Sequence, residues 1–397
     1  MPSDRASSTL ALVGATVHPA PGDRPILDGV VLVERATIAA VGRRADVGVP
    51  DGSRVLDCSG RAITAGFCNS HVHFFERKWA DAGTVPADEL ALQLEEAFTR
   101  FGFTSVFDTG SPWENTRRIR ERIESGEVHG PKIRSTGPGL VPPGAIPPDA
   151  VLGMMGAMKF AAPEISSAAD ASAAARRLLG EGVDGIKLFL SSPRGASLPQ
   201  EALAAAVDEA HRAKKPVFAH PNSGADVLAA VRGGVDVIAH TTPHSGPWGE
   251  TLLAAMREAG AALTPTLALW KTFLRHDRIS AQQRIAEVAA GQLRAFSAGG
   301  GTVLFGTDLG AVDPDPGDEY ALMAEAGMSF ADVLAALTTA PARRLGDPDR
   351  SGRVAAGFEA DLVVLEKDPS EDPAALAAVT CTIRGGQVTY RRAGPAR

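Results

Sequence analysis

The sequence predicts an α/β fold: a (β/α)8 TIM barrel with a small β-sandwich domain that is built from both termini. Two observations lead to this fold class. The middle of the 397-residue chain alternates eight strand-like apolar runs with helix-like segments, whereas both ends contain only short strand-like runs. The length suits one large domain of roughly 250 residues or more with a smaller companion. We expect residues 1–61 and 351–397 to form the sandwich domain and residues 62–350 to form the barrel.

The two ends of the chain share a pattern of short strands. An apolar run at residues 9–17 ends before Pro19, Pro21 and Gly22, which turn the chain. Similar short runs lie at residues 30–33, 37–41, 54–58, 362–365, 379–383 and 387–390. Apolar runs bounded by turn residues in this way are typical of a β-meander. Because the ends resemble each other and differ from the middle, we expect them to assemble into one small β-domain.

The middle of the chain repeats a unit of one strand followed by one helix. Its strand-like runs lie at residues 67–73, 104–108, 132–137, 185–190, 216–220, 235–240, 261–266 and 302–308. Its helix-like segments lie at residues 88–101, 169–179, 200–212, 226–231, 250–259 and 281–296. Ser329 is a suitable N-cap for a last helix, and Gly346 is a suitable stop. The alternative is an open doubly wound sheet, which is weakened because no Gly-x-Gly-x-x-Gly follows an early strand.

Composition and charge exclude several classes of partner. The chain has 40 basic and 47 acidic residues, a formal net charge of −7, and only 5% aromatic residues. No cluster of Lys and Arg resembles a phosphate-binding stripe, and no apolar stretch of about 20 residues is present. We read no signal peptide at the N-terminus. The three cysteines, Cys58, Cys68 and Cys381, lack metal-ligand spacing and fit a reducing compartment. We therefore expect a cytoplasmic protein with a small-molecule substrate, without nucleic-acid or membrane partners, and we leave homo-oligomerisation open.

Imidazole side chains recur where the predicted barrel strands end. His71 and His73 end the first strand, His220 ends the fifth and His240 ends the sixth. In a barrel of this kind the carboxyl ends of the strands form the active-site mouth. Residues i and i+2 of a strand share one face, so His71 and His73 form a chelating pair for zinc or a similar metal. A single histidine at such a position is commonly a core residue, but three strands that each deliver histidine predict a metal site.

A lysine and an aspartate complete this set. Lys187 lies in an otherwise apolar strand, where burial lowers the pKa of an amine. A neutral amine can react with carbon dioxide to form a carbamate, whose two oxygens can bridge two cations. Asp308 ends the eighth strand, where a carboxylate can bind metal and accept a proton from water. The alternatives are an ordinary ion pair between Lys187 and a buried acid, and a capping role for Asp308.

The chain resembles the metal-dependent amidohydrolase superfamily, and within it the imidazolonepropionase-like and prolidase-like branch. The resemblance covers nearly the whole chain. It is carried by the segments Gly-Phe-Cys-Asn-Ser-His-Val-His at 66–73, Asp-Gly-Ile-Lys at 184–187, Val-Phe-Ala-His at 217–220, Val-Ile-Ala-His at 237–240, Phe-Gly-Thr-Asp at 305–308 and Gly-Phe-Glu-Ala-Asp-Leu-Val-Val-Leu at 357–365. Each motif alone is weak, but their order and spacing together are specific.

The resemblance implies a role for each member of the set. His71, His73 and Asp308 would hold one divalent metal ion, and His220 and His240 would hold a second. Zinc is the expected metal for both. Carboxylated Lys187, formed with carbon dioxide, would bridge the two ions together with a hydroxide, and Asp308 would pass a proton to the departing amine.

Substrate contacts are harder to assign. The loops after the strands carry residues that could face a substrate: His244 and Trp248 after the sixth strand, Arg194 after the fourth, and Trp270 after the seventh. A methionine-rich segment at 151–158 could form an apolar lid. Acidic residues at 313, 315, 318 and 319 would instead favour a cationic substrate group. Some relatives hold the substrate oxygen with a tyrosine, and neither Tyr320 nor Tyr390 is an obvious match.

These observations predict a binuclear metal-dependent hydrolase that uses a metal-bridging hydroxide. The bond cleaved would be an amide C–N bond of a small molecule, such as an N-acyl amino acid, a dipeptide or a cyclic amide. The alternatives are a mononuclear deaminase in which Lys187 is not carboxylated, and a lactone or ester hydrolase on the same scaffold. A non-catalytic binding protein fits least well, because it has no need of so many convergent polar side chains.

Overall fold

The computed structural model describes residues 9–145, 162–192, 196–274, 278–311 and 315–393. These segments contain the following strands: β1 Thr9–Val17, β2 Ile26–Glu34, β3 Thr37–Arg43, β4 Arg54–Asp57, β5 Ala62–Ala65, β6 Phe67–Val72, β7 Phe103–Asp108, β8 Lys132–Ser135, β9 Ile186–Phe189, β10 Val217–His220, β11 Val237–Ala239, β12 Ala262–Thr264, β13 Leu362–Leu365, β14 Val379–Arg384 and β15 Gln387–Arg391. Strand and helix numbers below follow chain order.

Helices alternate with the strands in the middle of the chain. They are α1 Ala87–Ala97, α2 Trp113–Glu124, α3 Ala168–Gly180, α4 Gln200–Arg212, α5 Gly224–Arg232, α6 Glu250–Glu258, α7 Leu267–Phe273, α8 Ile279–Ala298, α9 Pro316–Glu325, α10 Phe330–Leu337 and α11 Thr339–Leu345. Short 3-10 turns lie at Arg77–Trp79, Thr99–Phe101, Pro243–Ser245 and Pro373–Ala377. In the part of the chain that the structure describes, no helix is both long and apolar enough to cross a membrane.

The strands from the two ends of the chain pair into one eight-stranded mixed sheet. Its order is β15-β14-β13-β5-β1-β2-β3, and β4 pairs with β1 outside this path. One apolar cluster collects side chains from both ends, including Leu12 and Val31 from the first part of the chain and Val364 and Ile383 from the last. Both ends of the chain join this sheet because together they bury one shared set of apolar side chains. Strand β5 belongs to this sheet, although its residues lie just beyond the expected boundary at residue 61.

The parallel strands form a TIM-barrel-like arrangement. One sheet has the order β6-β7-β8 and another has the order β12-β11-β10-β9, and all pairs within them are parallel. Single parallel bridges extend these sheets: Leu140 pairs with Leu188, Leu263 pairs with Val303, and Val72 pairs with Leu309. The helices lie between consecutive strands, as the sequence predicts. The polar ends of these strands are thus brought toward a common face.

The expected eighth strand is not a regular strand. Residues 302–308 make a bridge at Val303 and a hydrogen bond from the Ser70 amide to the Phe305 carbonyl, but they form no continuous ladder. The Phe305 amide bonds to the Ala336 carbonyl of α10 and not to a neighbouring strand, and Asp308 has φ +60°, so the chain leaves the extended region just after Thr307. The expectation of a strand through residue 308 was therefore wrong in secondary structure, although the segment lies beside β6 as expected.

The last helical region is two helices rather than one. The Ser329 hydroxyl accepts a hydrogen bond from the Asp332 amide, and the Asp332 carboxylate accepts one from the Ser329 amide, which confirms Ser329 as an N-cap. Helix α10 ends at Leu337, and α11 then continues to Leu345 before Gly346.

The cysteines are free thiols, of which Cys58 and Cys381 are buried in the apolar cluster of the mixed sheet.

Candidate metal centre

Three of the expected ligands form a compact, buried trio. His71 lies in β6, His73 directly follows that strand, and Asp308 lies in the adjacent segment. Oδ1 of Asp308 is 2.9 Å from Nε2 of His73 and 3.1 Å from Nε2 of His71. One ligand atom from each residue lies within 4.8 Å of the other two. Two imidazole nitrogens and one carboxylate oxygen at this spacing match the ligands of zinc and similar divalent ions.

Electrostatics keep His71 and Asp308 in the protonation states that bind metal. Burial, together with the nearby charge of Lys187, lowers the pKa of His71 to about 3, so its imidazole is neutral at pH 7. Burial alone would raise the pKa of Asp308, but the imidazoles of His71 and His73 outweigh burial and hold it well below its usual range. A neutral imidazole and an ionised carboxylate are the forms in which these side chains coordinate metal.

The two further histidines lie beside this trio. The ring centroids of His71 and His240 are 4.8 Å apart, and those of His240 and His220 are 4.7 Å apart. His220 is the last residue of β10, and His240 directly follows β11. Burial lowers the pKa of His220 to about 4 and that of His240 well below its usual range. All four expected histidines therefore form one continuous group of rings.

Lys187 is the most unusual member of the group. Its side chain is 1% exposed, and its Nζ has no hydrogen-bond partner among the described residues. The amine lies 5.5 Å from the ring centroid of Phe189, and burial lowers its pKa to about 7 although Asp308 and Asp108 act in the opposite direction. A buried donor that lacks a partner costs about 1–3 kcal/mol, and more when it is charged. The alternative of an ordinary ion pair is not seen among the described contacts of this amine.

Two nitrogens of the candidate ligands also lack hydrogen-bond partners. In the described part of the chain, Nδ1 of His71 and Nδ1 of His73 are buried and make no hydrogen bond. Unsatisfied buried polar atoms are rare in native proteins and indicate a place where a water or an ion binds. Concentrated at one place with the unpartnered amine of Lys187, they fit a site for divalent metal ions.

The backbone around the trio is tightly constrained. Asn69, which precedes the two histidines on β6, donates through Nδ2 to the Thr307 hydroxyl at 2.8 Å, and its Oδ1 accepts from the amides of His71 and Thr307. A Cβ on Gly310 would clash with the carbonyl oxygen of His73. Asn69 thus joins the two segments that carry His71 and Asp308, a role that its place in the sequence did not reveal.

A second buried carboxylate lies next to the group and was missed by the sequence reasoning. Asp108, the last residue of β7, accepts hydrogen bonds from the hydroxyls of Ser135 at 2.6 Å, Thr116 at 3.2 Å and Ser111. Burial raises its pKa. The Ser111 hydroxyl also accepts a hydrogen bond from the Phe74 amide, next to His73. Asp108 therefore ties the loop after β7 to the segment that follows His73.

The expected substrate contacts are only partly brought together. His244 is exposed and packs edge-on against Trp270, whose indole donates to the Thr241 hydroxyl at 2.9 Å. Trp248 is buried in the core and donates to the Thr242 hydroxyl at 2.8 Å, so it orders the loop. Arg194, the methionine-rich segment 151–158 and residue 313 lie outside the described residues.

Other groups considered for substrate binding have protein partners. Asp318 forms an ion pair with Lys271 at 2.7 Å. Glu319 is fully buried and accepts two backbone hydrogen bonds, and the Tyr320 hydroxyl is buried with no partner among the described residues. These acids are engaged with the protein itself, which weakens the expectation that they favour a cationic substrate group.

A TIM-barrel-like fold with buried histidines and an aspartate at its strand ends defines a class, the metal-dependent hydrolases. The model of the Amidohydrolase family matches residues 62–389. The chain therefore belongs to the amidohydrolase family.

Known proteins of similar sequence and structure agree with this assignment. Ochratoxinase from Aspergillus niger is 25% identical over 432 aligned residues, which cover 97% of this chain and 87% of the relative. A solved Xaa-Pro dipeptidase with bound methionine gives a TM-score of 0.82 at 22% identity and covers 97% of this chain and 100% of that one. A solved prolidase complexed with N-methylphosphonate-L-proline gives 0.78 at 25% identity with the same coverage. The protein is a hydrolytic enzyme that acts on carbon–nitrogen bonds, in a family that generally uses divalent metals.

The close approach at Gly310 gives a test of how strictly the fold positions His73. Gly310→Ala should lower the thermal unfolding midpoint and the bound metal, because the new methyl group would clash with the His73 backbone. Gly300→Ala is the matched control, since Gly300 also has positive φ (+79°) but nothing lies within 4 Å of the place that its Cβ would take. The control carries only the strain of a left-handed alanine, about 1–2 kcal/mol, and the clash adds about 1–3 kcal/mol. Equal metal content and equal midpoints in the two variants would contradict this account.

Proposed function

We propose that this enzyme is a binuclear metal-dependent hydrolase that cleaves the amide C–N bond of a small molecule. The observation that carries the proposal is the buried amine of Lys187, which has no hydrogen-bond partner among the described residues and lies beside four histidines and Asp308. A single metal on the compact trio would leave this amine without a role. As a carbamate, Lys187 supplies a bidentate anionic ligand that can join a second metal site to the first.

The ligands divide naturally into two groups. His71, His73 and Asp308 would hold one ion, since their ligand atoms lie within 4.8 Å of one another. His220 and His240 would hold the second ion, and carboxylated Lys187 would lie between the two. The pKa of about 7 at Lys187 favours this modification, because near neutral pH a large part of the amine is unprotonated and able to attack carbon dioxide.

Divalent ions at such a site polarise a carbonyl oxygen and lower the pKa of an attacking water. The residues of this chain supply the proton transfers. Asp308 is ionised at neutral pH and fully desolvated, so it can accept a proton from water and return it to the departing nitrogen. An amine is a poor leaving group until it is protonated, so this second transfer is needed for C–N cleavage.

The names of the similar proteins support a class of substrates. One is a Xaa-Pro dipeptidase, and another is a prolidase whose bound ligand is an N-substituted proline. We infer that the substrate is an N-acyl amino acid, a dipeptide or a cyclic amide. Phe75 and Phe189, whose rings pack on His73 and His220 at 4.7 and 5.1 Å, give the site apolar walls that suit the acyl part of such a substrate.

The domain organisation expected from the sequence is part of the proposal. We propose that the parallel strands close into a complete barrel through the bridges at Leu140, Val303 and Leu309. The mixed sheet would then be the second domain, a sandwich built from both termini. The first boundary would lie after β5 rather than at residue 61, since β5 pairs with β1 and β13.

A mononuclear deaminase is the alternative that a specific observation favours. The trio of His71, His73 and Asp308 is complete enough to hold one ion by itself. In that case Lys187 would remain an amine, and the second pair of histidines would bind substrate or water. A lactone or ester hydrolase would use the same groups as the amide hydrolase and differ only in the bond cleaved.

Metal content and substrate range test the proposal together. Protein reconstituted with Zn²⁺ in the presence of bicarbonate should contain about two ions per chain by elemental analysis. It should hydrolyse members of a panel of N-acyl amino acids, dipeptides and cyclic amides, with lactones and amino-substituted heterocycles as comparison classes. One ion per chain together with ammonia release from the heterocycles would establish the deaminase instead.

Lys187→Ala should remove metal and activity together, because the variant lacks the bridging ligand. Added short carboxylic acids should restore part of both, since they can occupy the space of the carbamate. Lys271→Ala is the control, because this lysine is exposed and paired with Asp318. Full metal content in Lys187→Ala would show that the lysine does not bridge, and ¹³C-bicarbonate labelling of the wild type would reveal the carbamate directly.

Asp308→Asn should lower kcat far more than it lowers stability, by about 10²- to 10⁴-fold if the proton transfers are lost. Asparagine has nearly the volume of aspartate but cannot accept the proton. Asp318→Asn, at the protein surface, serves as the control for a loss of charge. Near-normal turnover in Asp308→Asn, measured at matched metal content, would remove the proposed proton transfer from this residue.

A further inference from the structure

The backbone at the site contains a strained residue that is not one of the proposed ligands. Thr266 has φ +46°, and it shares positive φ with the ligands His240 (+70°) and Asp308 (+60°). This conformation is unfavourable for a β-branched residue and persists only where surrounding contacts enforce it. Thr266 follows β12 and precedes α7, and it is fully buried.

The hydroxyl of Thr266 is committed to two partners. Its proton is donated to the carbonyl oxygen of Pro265 at 2.9 Å, and its oxygen lies 2.7 Å from Nδ1 of His240. The hydroxyl does not cap α7, although Thr266 occupies the N-cap position of that helix. The Thr266 hydroxyl therefore bonds to His240 and not to the backbone amides at the start of α7.

These two contacts fix where the proton of His240 resides. A hydroxyl has one proton, and the Pro265 carbonyl can only accept, so the Thr266 oxygen must accept a hydrogen bond from His240. Nδ1 of His240 therefore carries the hydrogen, and Nε2 carries the free electron pair. The neutral imidazole is the relevant form, because a histidine binds metal only through an unprotonated ring nitrogen.

We propose that Thr266 is a positioning residue that selects the tautomer and ring direction of His240 and so presents Nε2 to the metal. This inference rests on the proposed function, in which His240 is a metal ligand. Histidine ligands in metal sites commonly donate their second ring N–H to an oxygen, and loss of that oxygen typically weakens metal binding by about 10- to 100-fold.

A buried carboxylate holds Thr266 in its strained conformation. Oε1 of Glu319 accepts from the Leu267 amide at 2.9 Å, and Oε2 accepts from the Ala268 amide at 2.7 Å. Glu319 lies in α9 and is fully buried. Because it fastens the two amides that directly follow Thr266, it fixes the direction in which the chain leaves β12. The chain of contacts thus runs from Glu319 through the start of α7 to Thr266 and His240.

The decisive variant is Thr266→Val, which keeps the β-branched shape and removes the hydroxyl. It should bind Zn²⁺ about 10- to 100-fold more weakly in competition with a chromophoric chelator. In the metal-free protein, ¹⁵N NMR of the histidine rings should show His240 losing its single Nδ1–H form, with the resonance assigned by comparison with His240→Gln. Thr266→Ser keeps the hydroxyl and should restore both the tautomer and the affinity.

Two further variants separate positioning from a general loss of structure. Thr272→Val is the matched control, because the Thr272 hydroxyl in α7 donates to the Ala268 carbonyl at 3.0 Å, away from His240, and its loss should leave His240 unchanged. Glu319→Gln replaces one acceptor oxygen by a donor, so one of the two backbone amides loses its partner. This variant should weaken Zn²⁺ binding, as Thr266→Val does. Circular dichroism and thermal unfolding establish that each variant is folded.

The outcomes distinguish this inference from the proposed function. If Thr266→Val keeps the wild-type tautomer and Zn²⁺ affinity while His240→Gln loses metal, the positioning role is refuted and the metal site stands. If His240→Gln itself retains two Zn²⁺ per chain, the proposed role of His240 fails. If Thr266→Ser behaves like Thr266→Val, the hydroxyl is not the group that acts, and the inference is overturned.

Discussion

The amine of Lys187 is the constraint on which the site depends. Taking an ammonium out of water is costly unless a partner compensates, and the described residues offer this amine no hydrogen bond. The protein responds by lowering the pKa of Lys187 to about 7, which makes the amine both tolerable in the core and reactive. A residue that only served stability would be replaced at less cost by an apolar side chain. The buried amine therefore supports the proposal that Lys187 becomes a metal ligand after reaction with carbon dioxide.

The backbone is strained at two of the other residues of the site. His240 and Asp308 both have positive φ, and each directly follows a segment that is hydrogen-bonded in the interior of the fold. Such conformations cost about 1–3 kcal/mol each and survive only where packing determines them from several sides. Here Asn69 joins the segments of His71 and Asp308, and Thr266 joins His240 to the next strand. The proposed ligands are thus fixed by neighbours from other strands and not by their own strand alone.

The dependence on neighbouring strands explains which features the sequence could predict. A polar residue inside or at the end of an apolar run can be seen in the sequence alone, so Lys187, His71 and Asp308 can be recognised from it. The supporting residues were missed, because Thr266 and Asp108 gain their roles only from partners on other strands. The irregularity of the eighth strand was missed for a similar reason: the Phe305 amide bonds to the Ala336 carbonyl in a helix and Asp308 has positive φ, and neither feature can be read from the sequence. Trp248 was expected to face the substrate, but an indole in a loop can equally fill the core, and here it is buried.

The charges of the site determine what it can bind. The imidazoles of His71, His220 and His240 are neutral at pH 7, so Asp308 is the one anion among the unmodified side chains proposed as ligands. In the proposed binuclear site, a carbamate on Lys187 would add a second negative charge, and the two anions would offset only half of the charge of two divalent ions. The excess positive charge would favour a bound water that loses its proton readily and a carbonyl oxygen that becomes negative as the bond breaks. Without the carbamate, one divalent ion on His71, His73 and Asp308 would leave a smaller net positive charge at the site. Protonated Lys187 would then supply the remaining positive charge as an ammonium. The binuclear hydrolase and the mononuclear deaminase therefore differ in where one positive charge resides, on a second metal ion or on the lysine itself.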